Sequence, residues 1–109
     1  MTARRDAIRR LNDALRTTFQ GGRIMMTAGV QSLGEITVAT VLAQLRAFNR
    51  FDADNDPHGE HDFGGFEAGA HKFFWKIDYY APDMEHGSEN PADPAQTLRV
   101  LTLMLAEEY

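Results

Sequence analysis

A ten-residue run of alternating side chains, His71 to Tyr80, leaves this chain little choice but to build a sheet. Phe73, Trp75, Ile77 and Tyr79 alternate there with Lys72, Phe74, Lys76, Asp78 and Tyr80. A period of two places the first set on one face of a strand and the second set on the other. Aromatic rings on both faces predict a strand in the middle of the sheet, or one whose second face is only partly covered.

The remaining elements follow from their own patterns. Ile8, Leu11, Leu15 and Phe19 recur at helical spacing, with Arg4, Arg5, Arg9, Arg10 and Arg16 on the other faces and Gly21-Gly22 as the stop. Arg23 to Thr27 reads as a short strand. Ser32 and Glu35 have capping-box spacing, which predicts a second helix to about Arg50 with Val38, Val41, Leu42, Leu45 and Phe48 as its stripe. Phe63 to Phe66 reads as a strand weakened by Gly64 and Gly65. Asp93-Pro94-Ala95-Gln96 has the residues of a helix start. The following run, Leu98 to Leu105, is apolar nearly all round and predicts a buried last helix, covered by the sheet or by a second subunit. The expected fold is α+β: a small three-stranded, mostly antiparallel sheet with three helices, in the order α-β-α-β-β-α. The 109 residues suit a single domain, 1–109.

Composition narrows the chemistry. There is no cysteine, which excludes disulfides, thiolate metal sites and a cysteine nucleophile, and fits a reducing cytoplasm. No apolar run approaches the roughly 20 residues of a membrane helix. The arginine-rich start carries Asp6 and Asp13, which argues against a transit peptide. The net charge is −5, unevenly distributed: residues 1–50 hold eight Arg against three acids, while residues 51–93 hold eleven acids against two Lys. Either the fold interleaves these halves, or it leaves an acidic face that attracts basic partners and repels nucleic acid.

The polar loop Asp52 to Asp62 concentrates the candidate chemistry, with Asp56, His58, Glu60, His61 and Asp62 as its binding residues. Its Asp-x-Asp-x-Asp opening resembles a calcium loop, but Pro57 stands where glycine is needed and Phe63 where a bidentate Glu belongs. His58 and His61 are weak candidates for a transition-metal site, with Glu60 or Asp62 as oxygen donors and His71 or His86 to complete the shell. The plainer reading is a solvated connector. His61 beside Asp62 raises a histidine base with Lys76 stabilising charge, although neighbours on a strand point to opposite faces. Trp75, Lys76, Asp78 and Tyr80 could form a stacking platform. Buried core is the simpler account of those aromatics, the surrounding acidity argues against nucleic acid, and Lys76 and Asp78 could form a structural pair. No cofactor motif is present.

Asn55-Asp-Pro-His-Gly-Glu-His-Asp-Phe-Gly64, Phe74-Trp-Lys-Ile-Asp-Tyr-Tyr80, Asp93-Pro and Arg99 to Tyr109, together with Ile8 to Arg16 and Gly21-Gly-Arg23, resemble the uncharacterised bacterial domain-of-unknown-function family 3768. The resemblance implies a bacterial intracellular protein, often in a plasmid or other mobile-element setting, and carries no activity, ligand or catalytic residue. Two functions follow as expectations. The first is a non-catalytic binding or regulatory module engaging a protein partner, or itself, through the acidic loop or the apolar last helix; an acidic surface that imitates DNA is one form of it. The alternative is a small metal-dependent hydrolase or nuclease using the His/Glu/Asp loop.

Overall fold

The computed structural model describes residues 2–109. The elements in chain order are α1 (Thr2–Thr18), β1 (Arg23–Met26), α2 (Ala28–Gln31), α3 (Glu35–Ala47), β2 (Phe63–Ala68), β3 (His71–Tyr80) and β4 (Leu98–Leu105), followed by a 3-10 turn, Ala106–Glu108. The α+β class stands, and the described residues hold three helices, but they are not the three expected: the short α2 is additional and the expected last helix is missing. The sheet has four strands in the order β1-β4-β3-β2, and it is mixed: β1 runs parallel to β4, and the other neighbours are antiparallel.

The expected last helix is instead β4, hydrogen-bonded between β1 and β3. A strand with neighbours on both edges and side chains buried on both faces reads as a continuous apolar run, as a buried helix does. Leu101 and Leu103 are buried on one face, and Val100 and Met104 on the other. The apparent helix start is a turn. The Asp93 carboxylate accepts from the Ala95 amide and from the Gln96 side chain, and the Gln96 amide donates to the Asp93 carbonyl. Asp followed by Pro opens a turn with the same local bonds it would make at a helix N-terminus.

The Ser32–Glu35 capping box also fails. Gly34, at φ 91°, stands at the start of α3 with no side-chain cap, and the Ser32 hydroxyl donates back to the Gly29 carbonyl. The functioning cap lies earlier, at Thr27, whose hydroxyl accepts from the Val30 amide and opens α2. α1 carries its predicted stripe and ends at Thr18, with Phe19 rather than a glycine in the left-handed conformation, at φ 60°.

β3 lies inside the sheet between β4 and β2, and its second face, with Phe74 and Tyr80, is only partly covered, so both expectations for its aromatic faces are met. Phe73, Trp75 and Ile77 lie in the core with Leu101 and Leu103, under Leu15 of α1, Val30 of α2 and Val41 and Leu45 of α3. Gly64 and Gly65 are not weaknesses of β2 but conditions for this packing. A Cβ at Gly64 would come within 2.5 Å of Trp75 Nε1 and 2.7 Å of the Phe48 ring, and one at Gly65 within 2.8 Å of the Phe74 ring.

The three helices all pack on the Trp75 face. The opposite face carries Met25 on β1, Val100, Thr102 and Met104 on β4, Phe74, Lys76, Asp78 and Tyr80 on β3, and Phe63 on β2, by the pairing register. The end of the chain crosses it, with the Tyr109 ring 5.6 Å from Phe63 and 5.3 Å from Phe74, and Met84 of the β3–β4 connection borders it beside Tyr80 and Val100. Among the described residues, no helix is long and apolar enough to cross a membrane.

Candidate functional site

The polar loop after α3 closes onto α1. Asn12 stands at helical spacing from Ile8 and Leu15, so its amide is carried into the interior, where it is fully buried. There it uses both ends. Its Nδ2 donates to the Glu60 carbonyl at 3.0 Å and to the Tyr79 hydroxyl at 2.8 Å, and its Oδ1 accepts from Arg99 Nε at 2.9 Å. Tyr79 passes the chain on, donating to Glu60 Oε1 at 2.9 Å. Arg99, 2% exposed, lays its guanidinium over the Tyr79 ring and donates to the Pro91 carbonyl. One buried amide thus ties α1, the loop, β3 and β4 together. Burial raises the Tyr79 hydroxyl above its ordinary pKa, with the Glu60 charge adding to it, and burial lowers that of Arg99.

His61 forms a second junction. Its Nδ1 is 2.8 Å from Asp13 Oδ1 on α1, and its Nε2 is 3.6 Å from Asp56 Oδ2. The His61 amide donates to Asp56 Oδ1 at 3.0 Å, and the ring stacks on Phe51 with centroids 3.7 Å apart. His61 holds φ 56°, a conformation a non-glycine residue keeps only when its surroundings fix it. Asp13 also accepts from Arg16, which is almost fully buried and lies over Phe51 and Trp75. The residue that orients His61 is therefore Asp13, 48 positions away, and not its neighbour Asp62.

The basic first helix and the acidic loop meet in space. Arg9 Nε donates to the Gly59 carbonyl, and Arg5 and Arg9 both border Gly59. The halves of opposite charge interleave here.

Of the loop candidates, Asp56, Glu60 and His61 are drawn into these networks, while His58 is exposed. Asp62 is half-buried, and burial, followed by the Glu60 charge, raises its pKa from the usual carboxylate value. These donors do not converge. Among the described residues, the three-donor group with metal-like spacing is Asp83, Glu85 and His86, all exposed in the β3–β4 connection. His86 thus lies in a different cluster, and His71 is exposed at the start of β3. Of the platform candidates, Trp75 is in the core, whereas Lys76, Asp78 and Tyr80 lie on the other face, where Lys76 Nζ pairs with Asp78 Oδ2 at 3.1 Å. These four form no common surface.

Sequence reasoning missed Asn12, Asp13, Arg16, Tyr79 and Arg99. Two of them left a signal: an amide inside the apolar stripe of α1, and one arginine inside the most apolar run of the chain.

A second feature lies on the helix-free face. Arg23, Met25, Tyr80, Met84, Val100 and Thr102 line most of an open cleft of about 440 Å³. Met25 is 52% and Met84 41% exposed. Met84 sits at the tip of the β3–β4 connection with φ 64°.

Neither the curated proteins nor the solved structures contain a match to this chain. A family model matches residues 26–108, which begin at the last residue of β1 and run through the 3-10 turn. That span takes in the acidic loop, both hairpin strands and β4, and the chain belongs to the family described as protein of unknown function (DUF3768).

Proposed function

We propose that this chain is a non-catalytic binding module that engages a protein partner through the helix-free face of its sheet. The observation that carries the reading is the one-sided arrangement of the molecule. Of the acids and histidines that could have built a catalytic centre, His61 bonds inward to α1, Glu60 to β3 and Asp56 to His61, while Met25 and Met84 stand exposed around an apolar cleft. Exposed apolar side chains gathered in one place mark interaction surfaces. The apolar last segment no longer serves as a contact helix, because it is the buried strand β4. The loop contributes a smaller exposed rim at Asp52, Asp54 and His58. The cytoplasmic, bacterial and mobile-element setting implied by the family belongs to the same reading.

The test compares capture by the native chain with capture by Met25→Asp, which places a charge in the cleft without touching the loop. The reading expects a partner retained by the native chain and lost by Met25→Asp, while His58→Ala retains it. Metal-dependent phosphoesterase or nuclease turnover that disappears in His61→Ala, with that variant still folded, would overturn it in favour of the hydrolase.

A further inference from the structure

The Met84 turn and the cleft beside it carry complementary features on one surface. Arg23 is the one charged residue lining the cleft, it is exposed, and among the described residues it forms no ion pair. Met84 is flanked by Asp83 and Glu85. The Asp83 carboxylate is engaged within its own turn, accepting from the Glu85 and His86 amides and meeting His86 Nδ1 at 2.9 Å. Glu85 belongs to the same exposed cluster, its carboxylate within 4.8 Å of donor atoms of Asp83 and His86, but among the described residues it forms no side-chain hydrogen bond or ion pair. The chain therefore presents an apolar tip with an acid next to an apolar cleft with a base.

We infer that the occupant of this cleft is a second copy of the chain, related by a two-fold axis. Each Met84 seats against the other copy's exposed Met25, and each Arg23 meets the other copy's Glu85. This rests on the reading of the helix-free face as a contact surface. A two-fold contact is self-complementary, so one patch must supply both members of every pair. The patch does so in size, with a methionine tip facing a methionine-lined cleft, and in charge, with Arg23 and Glu85 each outside any ion pair among the described residues. Met84 lines the cleft of its own chain, which places it near such an axis, where the two tips meet. The four strands, of 4, 6, 10 and 8 residues at about 4.8 Å by about 3.3 Å per residue, present a face on the order of 450 Å². The flanking Met84 turns must therefore supply much of the roughly 800 Å² per partner of a standard interface.

Sedimentation velocity across a concentration series, at low salt and at about 1 M salt, reads the contact directly, because salt screens the Arg23–Glu85 pair. The native chain is expected to dimerise reversibly and more weakly at high salt. Arg23→Glu alone and Glu85→Arg alone each place like charges together twice per dimer and should weaken association at least about tenfold. An equimolar mixture of these two variants restores both opposite-charge contacts and should dimerise as the native chain does. Met84→Asp, at an exposed tip, should abolish association without unfolding. A native chain that stays monomeric throughout overturns the inference, as does a dimer indifferent to all three substitutions. Either result leaves the protein-binding reading to its own capture experiment, in which Met25→Asp is the discriminating variant.

Discussion

The two faces of the sheet treat polar and apolar side chains in opposite ways. On the helix-covered face, α1 and the acidic loop bring amides, acids and arginines into the interior, where Asn12, Arg16, Asp56 and Arg99 are buried and bonded. On the helix-free face, Met25, Met84 and Tyr109 remain largely exposed. Residues that look functional in the sequence hold the molecule together, and residues that look like core stand where a partner can reach them. A buried polar group needs its bonds to be tolerated, and an exposed apolar cluster needs a cover.

The largest expected effect separates the faces by stability. Trp75→Ala should cost about 3–5 kcal/mol in urea unfolding, because the indole is fully enclosed by Phe48, Phe51 and Arg16. Tyr80→Ala, on the other face of the same strand, should cost less than about 1 kcal/mol. Equal losses would abolish the distinction.

Next is Asn12→Ala. It leaves Arg99 Nε and the Glu60 carbonyl without their partner, and about 1–3 kcal/mol is expected. A loss near zero in the same assay would mean that water replaces the amide and that the junction is looser than its geometry.

Asp62→Asn sharpens the picture through pH. The folded-state pKa of Asp62 lies above that of the unfolded chain, so the native form resists its ionisation. Stability is favoured below the unfolded value and falls as pH rises through the folded one. The amide variant should therefore be more stable than the native chain near neutrality, with the advantage shrinking as the solution is acidified. A variant less stable at neutral pH would mean that the carboxylate makes a needed bond.

Glu108 has the opposite sign and the smallest effect. Its carboxylate accepts from the Thr27 hydroxyl and from the Leu105 and Gly29 amides, and these bonds hold its pKa below the usual value. Its contribution is complete above the unfolded carboxylate value and is lost as pH falls through the folded one. Glu108→Gln should flatten the acid limb of the stability profile, and an unchanged limb would show that the end of the chain is not tied to Thr27.

The parts of the fold that were legible in the sequence are those set by local period. β3 and its two faces follow from alternation, and α1 from its stripe. β4 was not legible, because an apolar run of eight residues satisfies a buried strand and a buried helix equally, and Asp93-Pro94 makes the same bonds in a turn as at a helix start. Gly64 and Gly65 weaken a strand by propensity, yet here they admit the Trp75, Phe48 and Phe74 rings. The candidate loop is visible in the sequence as a concentration of polar groups, but its partners lie 48 residues back at Asp13 and Asn12 and 19 residues ahead at Tyr79. Pairings of that range depend on topology and leave little trace in local spacing.

The most direct test of this division is elemental analysis of the purified, untagged chain by mass spectrometry, run beside a His61→Ala variant. The account predicts no stoichiometric zinc, manganese or iron in either protein, with the variant differing only in stability. One equivalent of metal in the native chain, lost in a folded His61→Ala variant, would contradict it and return the loop to the role of a catalytic centre.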